Sequence, residues 1–469
     1  MRREYYSKTV MLNVRTKTKS MSAIIFALAG PIMFEQFMQT AVQYIDTAMV
    51  GSLGTSATAA VGSTTTINWL ISGTVSAIGV GFLSYIAQKC GAGDEEAVKR
   101  ASAQSALAVL VSGVLFTVLT LSLSPVIPVL MRVDEPIREL TARYFFIVYT
   151  PMLARSAIII FGTVLRAAGD TKTPMFVGVA VNIVNLILNF ILIYPTRQIY
   201  GIRIFGAGLG VEGAAIASAA GFIVGGIIIT VVLWYHPVLS PKKMSLKPDI
   251  KILKPCLKVS FPNMLQRFGT SLGYVVFASM INSMGEIATA AHTIANTVES
   301  AFYIPGYGMQ SAAATLAGNY LGARDNKKMK DFARMNLLIE VVLMIISGSL
   351  LFIFAPLMME IFSDSAEVIE LGSVVLRMVA VSEPFFGASI IIEGIMQGVG
   401  KTVKPFVYNI IGMWGIRIVG TFICISFFSG GLVSAWGCMI AHNTFLFILY
   451  FVHLLSGKWN PLNNQEKLL

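Results

Sequence analysis

The sequence predicts an all-α membrane protein of twelve transmembrane helices, built as two six-helix repeats related by a pseudo-twofold axis along the membrane normal. Three observations carry this. The 469 residues are 55% hydrophobic and only 13% charged, with mean hydropathy +0.73, against roughly 25% charged residues in a soluble domain. The apolar residues fall into long blocks without low-complexity tracts, which excludes soluble, disordered and fibrous chains. Finally, the chain repeats itself after 231 residues.

Runs of about 20 apolar residues suffice to span a bilayer. They occur near 22–50, 61–87, 102–124, 138–165, 174–196 and 211–235, and again near 259–281, 288–317, 333–361, 370–396, 405–428 and 432–456. The opening segment MRREYYSKTVMLNVRTKTKS is polar and basic, with no short apolar region or small-residue cleavage site after it, so no signal peptide is expected. Residues 236–258, with six lysines and four prolines, read as a basic cytoplasmic linker between an N-lobe of residues 1–235 and a C-lobe of residues 259–469.

The offset of 231 aligns PIMFEQF (31–37) with PNMLQRF (262–268) and SLGTSATAA (52–60) with SMGEIATAA (283–291). Without a gap it aligns CGAGD (90–94) with LGARD (321–325) and RAAGDTKTP (166–174) with QGVGKTVKP (397–405). One register held this long marks a duplicated unit. Six helices per unit give both copies the same orientation, enclosing a cleft that rocking of the lobes would open to alternate sides.

The net charge of +11 reflects topology rather than nucleic-acid binding. With both termini cytoplasmic, about 26 of the 35 Lys and Arg residues fall in cytoplasmic segments and about five outside. This asymmetry orients the chain by the positive-inside rule. The other four, Arg155, Arg267, Arg377 and Arg417, fall within spans.

Polar side chains inside spans turn toward the bundle or a wet cavity. Gln36, Gln39, Gln43 and Asp46 share one face of the first span, at spacings of three and four. A carboxylate held away from water can take up and release a proton near neutral pH, or hold Na⁺ if other oxygens help. The same stripe also suits plain interhelical hydrogen bonding. In the fifth span Asn182, Asn185 and Asn189 form a second stripe whose carbonyl oxygens suit a cation shell, and Ser218 in the sixth adds a hydroxyl. In the second copy Gln36, Gln39, Gln43 and Asp46 become Arg267, Thr270, Tyr274 and Phe277, so the ion is expected mainly in the N-terminal half.

Glu35, Gln266 and Glu299 join the three glutamines as expected cleft residues. Glu383 and Glu393 are read as structural partners of the in-span arginines. Pro305, Gly306 and Gly308 mark a site of bending or close packing. Cys90, Cys256, Cys424 and Cys438 have neither disulfide nor metal-site spacing, and the four histidines match no ligand motif. GVGKT (398–402) lacks the full phosphate-loop spacing and matches the first half's RAAGDT as a repeat loop. No enzyme, cofactor or metal is expected, apart from Na⁺ or H⁺ as coupling ion.

Pro31 with Gln36, DTAMVGSLG (46–54), the GAxD loops at 91–94 and 322–325, RAAGDTKTP and NLILNFILIY together resemble the multidrug and toxic compound extrusion family, over essentially the whole chain. The resemblance implies two lobes of six helices in the cell membrane, exporting organic cations or drugs in exchange for Na⁺ or H⁺. It also implies cation-site roles for Asp46, Asn185, Asn189 and Ser218. Asn189 departs from the family's usual Asp. A flippase for lipid-linked oligosaccharides, of the same superfamily, is the alternative; it would call for cationic residues lining the cleft to meet a pyrophosphate. The chain is expected to act as a monomer, with small-molecule substrates and no nucleic acid.

Overall fold

The structure is a computed structural model that describes residues 20–131, 133–199 and 202–463. The expectations about a signal peptide and about which side the two ends face fall on residues outside these ranges.

Helices account for nearly all of it. α1 (Met21–Gly51), α2 (Thr55–Ala92) and α3 (Glu95–Leu123) are followed by the short α4 (Ile127–Leu130), then α5 (Glu135–Tyr149), α6 (Met152–Ala167), α7 (Lys172–Leu192) and α8 (Gly210–Tyr235). The second half has α9 (Ile250–Asn282), α10 (Glu286–Phe302), α11 (Ile304–Gly322), α12 (Asn326–Glu360) and α13 (Ala366–Gly398). It ends with α14 (Val403–Ile410), a π-helical segment (Ile411–Ile418), α15 (Val419–Phe428) and α16 (Leu432–Leu455). Among the described residues nine helical spans are long and apolar enough to cross a bilayer, Val403–Phe428 counting as one. The pair α5 and α6, bent by 50°, makes a tenth. α9, α10 and α11 are not among them; α9 carries Lys251, Lys254, Lys258 and Arg267.

Four sequence expectations need correction. The fourth expected span breaks at Thr150–Pro151, because Pro151 supplies no backbone N–H to continue the helix. The eighth breaks at Tyr303, just before Pro305. Helix α9 starts at Ile250, inside the stretch read as linker, because the Asp249 side chain accepts the Lys251 N–H at 2.9 Å and caps its first turn. The fold is also not purely helical. Strands β1 (Pro195–Ile199) and β2 (Ile202–Ala207) form an antiparallel hairpin in a segment too polar to span. Arg197 stacks on Phe190 and Tyr194 at 4.4 and 4.0 Å and ties this hairpin to the end of α7.

The repeated loops owe their sequence to backbone geometry. Gly54 and Gly285, Gly93 and Arg324, and Gly169 and Gly400 all have left-handed φ angles between 56° and 114°, and each pair stands 231 residues apart. After the second pair, Asp94 and Asp325 accept the N–H groups of Ala97 and Lys328 at 3.1 and 3.0 Å, so both GAxD loops end one helix and cap the next.

One core joins α2, α3, α5 and α6 through Phe82, Ile86, Val98, Phe145, Tyr149, Ile160 and Leu165. Another fills the second half around Phe277, Val298, Leu351, Val375 and Trp436. A third crosses between the halves. Ile24, Ile25 and Ala29, at the start of α1, pack with Met309, Leu316, Ile391 and Ile395 of α11 and α13. Helix α1 thus begins against the second half and ends against the first.

Candidate functional site

Past Pro31, α1 runs toward α7 and α8, and Asp46 meets them at a polar cluster. Asn189 Nδ2 donates to Asp46 Oδ1 at 2.7 Å. With its amide nitrogen toward the carboxylate, Asn185 donates to both Asp46 oxygens at 3.0 and 3.1 Å, and its oxygen accepts the Ser218 hydroxyl at 3.0 Å. The reverse orientation would set oxygen against oxygen, so the network decides the assignment. Asn185 and Asn189 are buried at 5% and 1% exposure, whereas Asp46 is half-buried. Asn189 Oδ1 is buried and accepts no hydrogen bond. The structure therefore brings Asp46, Asn185, Asn189 and Ser218 together from three helices. The cluster offers a carboxylate, two amides and a hydroxyl, a set of hard oxygens suited to a small cation.

The other expected residues are placed differently. Gln39 and Gln43 are exposed and Gln36 half-buried, and none of the three side chains bonds to a described residue. Glu35, expected in the cleft, is instead taken up by Arg166, whose Nη2 lies 2.8 and 2.7 Å from its two oxygens. Arg166, which opens the repeat loop RAAGDTKTP in the sequence, lies at the end of α6. Gln266 Nε2 donates to Glu393 Oε1 at 2.9 Å, and Gln397, Asn409 and Tyr450 also donate to that carboxylate. Gly306 and Gly308 are sites of close packing. A Cβ on Gly306 would stand 2.9 Å from Glu340 Oε1, and one on Gly308 would stand 2.6 Å from Met33 Cγ of α1.

The pairing expected between in-span arginines and Glu383 or Glu393 does not occur among the described residues. Neutral donors satisfy Glu393 instead. Arg155 donates to Asn68 and Ser72 and lies between the rings of Tyr149 and Phe222, at 4.8 and 4.6 Å. Arg417 lies 5.1 Å from the Tyr274 and Phe277 rings. Arg377 reaches the Phe352 carbonyl at 3.4 Å. Only Arg267 faces the other half, its Cβ 3.7 Å from where Gly73 of α2 would carry one. Each of the four is thus engaged by its own set of neighbours.

Sequence reasoning missed Glu340. It is fully buried on α12 and neither carboxylate oxygen has a partner, while buried Glu383 lies within electrostatic reach of both Glu299 and Glu340. The signal was present as a single acid inside the apolar run LLIEVVLMII (337–346).

Away from Asp46 the halves are pressed together at the end that carries the GAxD loops. A Cβ on Gly91 would collide with the Asn319 carbonyl, one on Gly322 with the Gln88 carbonyl, and one on Gly81 with the Cys256 carbonyl. Small residues let helix backbones approach this closely. Hydrogen bonds reinforce the contact: Ser84 Oγ and Gln88 Nε2 donate to the Gly398 carbonyl at 3.0 and 3.1 Å, and Ser260 Oγ to the Ile78 carbonyl at 3.2 Å. At the Asp46 level α1 reaches the second half through Tyr44, whose hydroxyl donates to the Thr297 carbonyl at 3.5 Å.

Long apolar helices, buried polar groups at mid-span and a tight seal at one end define a polytopic membrane transporter. The MatE family profile matches residues 31–191 and again 262–423. The chain belongs to the MatE family, the multidrug and toxic compound extrusion family that its motifs resemble. A probable multidrug resistance protein NorM from Thermotoga maritima is 28% identical over 436 residues, 93% of this chain and 92% of that one. A probable multidrug resistance protein YoeA from Bacillus subtilis is 25% identical, covering 90% of each chain. Among solved structures, an outward-facing multidrug resistance MATE transporter superposes with TM-score 0.88 at 22% identity, over 97% of this chain and 99% of that one. A Pyrococcus furiosus transporter described as having a binding pocket of reversed polarity superposes with TM-score 0.87 at 23% identity, with the same coverage.

Proposed function

We propose that this protein exports amphipathic organic cations and drugs across the cell membrane by Na⁺- or H⁺-coupled antiport, through alternating access of two six-helix lobes that together cross the bilayer twelve times. The observation that carries the reading is the Asp46 carboxylate, held by Asn185 and Asn189 with Ser218 behind them, half-buried on a helix whose other end is anchored in the second half.

The cluster suits coupling because amides can present either face. Without an ion, their N–H groups satisfy Asp46. A bound Na⁺ would draw the Asn185 oxygen round and use the unpaired Asn189 Oδ1; a bound proton would release the donors. Either event changes how α1 is held against α7 and α8, and a ligand moves a two-state protein only through such differential contacts. The Lys and Arg asymmetry supports cytoplasmic termini and, with them, a sealed end on the cytoplasmic side and an outward-facing state. The family's twofold match at 31–191 and 262–423 supports two equivalent lobes. The flippase reading is weakened because Arg155, Arg377 and Arg417 are already engaged by amide, hydroxyl, carbonyl and aromatic groups.

The test is transport in proteoliposomes under an imposed Na⁺ gradient and, separately, a pH gradient, with Asp46→Asn beside the unaltered protein. Export driven by one gradient and abolished in the variant is expected. Undiminished export by folded Asp46→Asn would overturn the assignment.

A further inference from the structure

At the end of the molecule that carries the seal, the loop after α13 meets the end of α16. Lys401 Nζ donates to the Lys458 carbonyl. Lys404 Nζ lies 3.4 Å from His453 Nδ1, and His453 is 5% exposed with a buried Nε2 that makes no hydrogen bond. No carboxylate pairs with Lys401, Lys404 or Lys458 among the described residues. Burial first, and then the neighbouring Lys404, push the Lys401 ammonium below its ordinary value.

The first half shows what a closed version of this corner looks like. Asp170 stands 231 residues before Lys401. Its oxygens accept the Thr173 N–H at 3.0 Å and hydroxyl at 2.6 Å, and Oδ2 lies 3.9 Å from His236 Nε2. The first corner thus supplies its own anion, and the second puts a lysine in that place. Beside the lysines the helix surfaces are apolar and outward, with Val403, Val407, Val452 and Leu455 exposed. Cations without a counter-ion, next to a lipid-facing surface, are the features of a headgroup pocket.

We propose that Lys401, Lys404 and Lys458, gathered around buried His453, bind the phosphate-bearing headgroup of an anionic phospholipid, whose acyl chains lie on Val403, Val407, Val452 and Leu455. Free phosphate shares the headgroup chemistry but gains nothing from that apolar surface.

The test is native mass spectrometry of the full chain in detergent, titrated with phosphatidylglycerol, phosphatidylcholine and inorganic phosphate. Retention of phosphatidylglycerol over phosphatidylcholine is expected, falling roughly fivefold per lysine removed and on the order of a hundredfold in Lys401→Gln/Lys404→Gln/Lys458→Gln. The matching arginine triple, which keeps the charge, retains binding and guards against a folding artefact. Lys242→Gln/Lys243→Gln/Lys247→Gln, an equal charge change in the linker, leaves it unaltered. Equal retention of the two lipids, or equal loss in the linker triple, would overturn the site. Competition by inorganic phosphate at the lipid's own concentration would overturn the lipid assignment.

Discussion

Replacing Gly322 by alanine is expected to open the sealed end. The new Cβ would collide with the Gln88 carbonyl oxygen and would stand 2.7 Å from the carbonyl carbon and 3.0 Å from the Ala92 nitrogen. All three obstacles are α2 backbone, so no rotamer change relieves the clash, and the two helices must part by about 1 Å to regain ordinary contact. Overpacking of this kind costs about 3 kcal/mol, the upper part of the usual range. Because the contact joins the two halves, that energy falls on this state and shifts the balance roughly a hundredfold toward the opposite-facing one. Cys90 sits next to Gly91 in the seal and reports on it once the other three cysteines are changed to alanine. Its alkylation by a membrane-impermeant maleimide in inside-out vesicles should accelerate at least tenfold in Gly322→Ala. Gly437→Ala serves as control, since nothing lies within 4 Å of its added Cβ. An unchanged rate in folded Gly322→Ala would refute the idea that these backbones form the gate.

Glu35→Gln should lower thermal stability by about 3 kcal/mol, because it strands Arg166, whose side chain is only 18% exposed; the double variant with Arg166→Met should recover most of the loss, as read by the unfolding midpoint. Ser218→Ala removes the hydroxyl that Asn185 accepts and should weaken the ion dependence of transport roughly fivefold, about 1 kcal/mol, without affecting folding. His236 is held below its ordinary value of about 6.5 by burial, opposed by Asp170, and its Nδ1 accepts the Val238 and Leu239 N–H groups. The native state therefore binds fewer protons than the unfolded one, so the stability this contributes is full above about pH 6.5 and is lost as pH falls below it. Unfolding midpoints measured from pH 7.5 down to 5.5 should fall less steeply in His236→Gln.

Much of this molecule was legible in its sequence. Hydropathy placed the apolar blocks, and the spacing of Asp46, Asn185 and Asn189 predicted faces that do converge, because a helix fixes which residues share a side. The 231-residue register also reached down to single backbone angles, as at Gly93 and Arg324. What stayed hidden depends on three dimensions. Glu35 carries the same signal as Asp46, a carboxyl in the first span, and nothing local says that Arg166 waits for it across the bundle. Gln266 and Glu393 lie 127 positions apart, and only packing makes them partners.

Helix α1 begins among residues of the far half, and this bears on how the chain is made. Ile24, Ile25 and Ala29 leave the ribosome long before Met309 and Ile391 exist to receive them. The opening helix must wait in the bilayer, with one flank unclaimed, until translation has passed the linker. A gene cut at that linker would yield one fragment lacking its neighbours and another with an empty groove, and neither would mature without the other being made in the same cell.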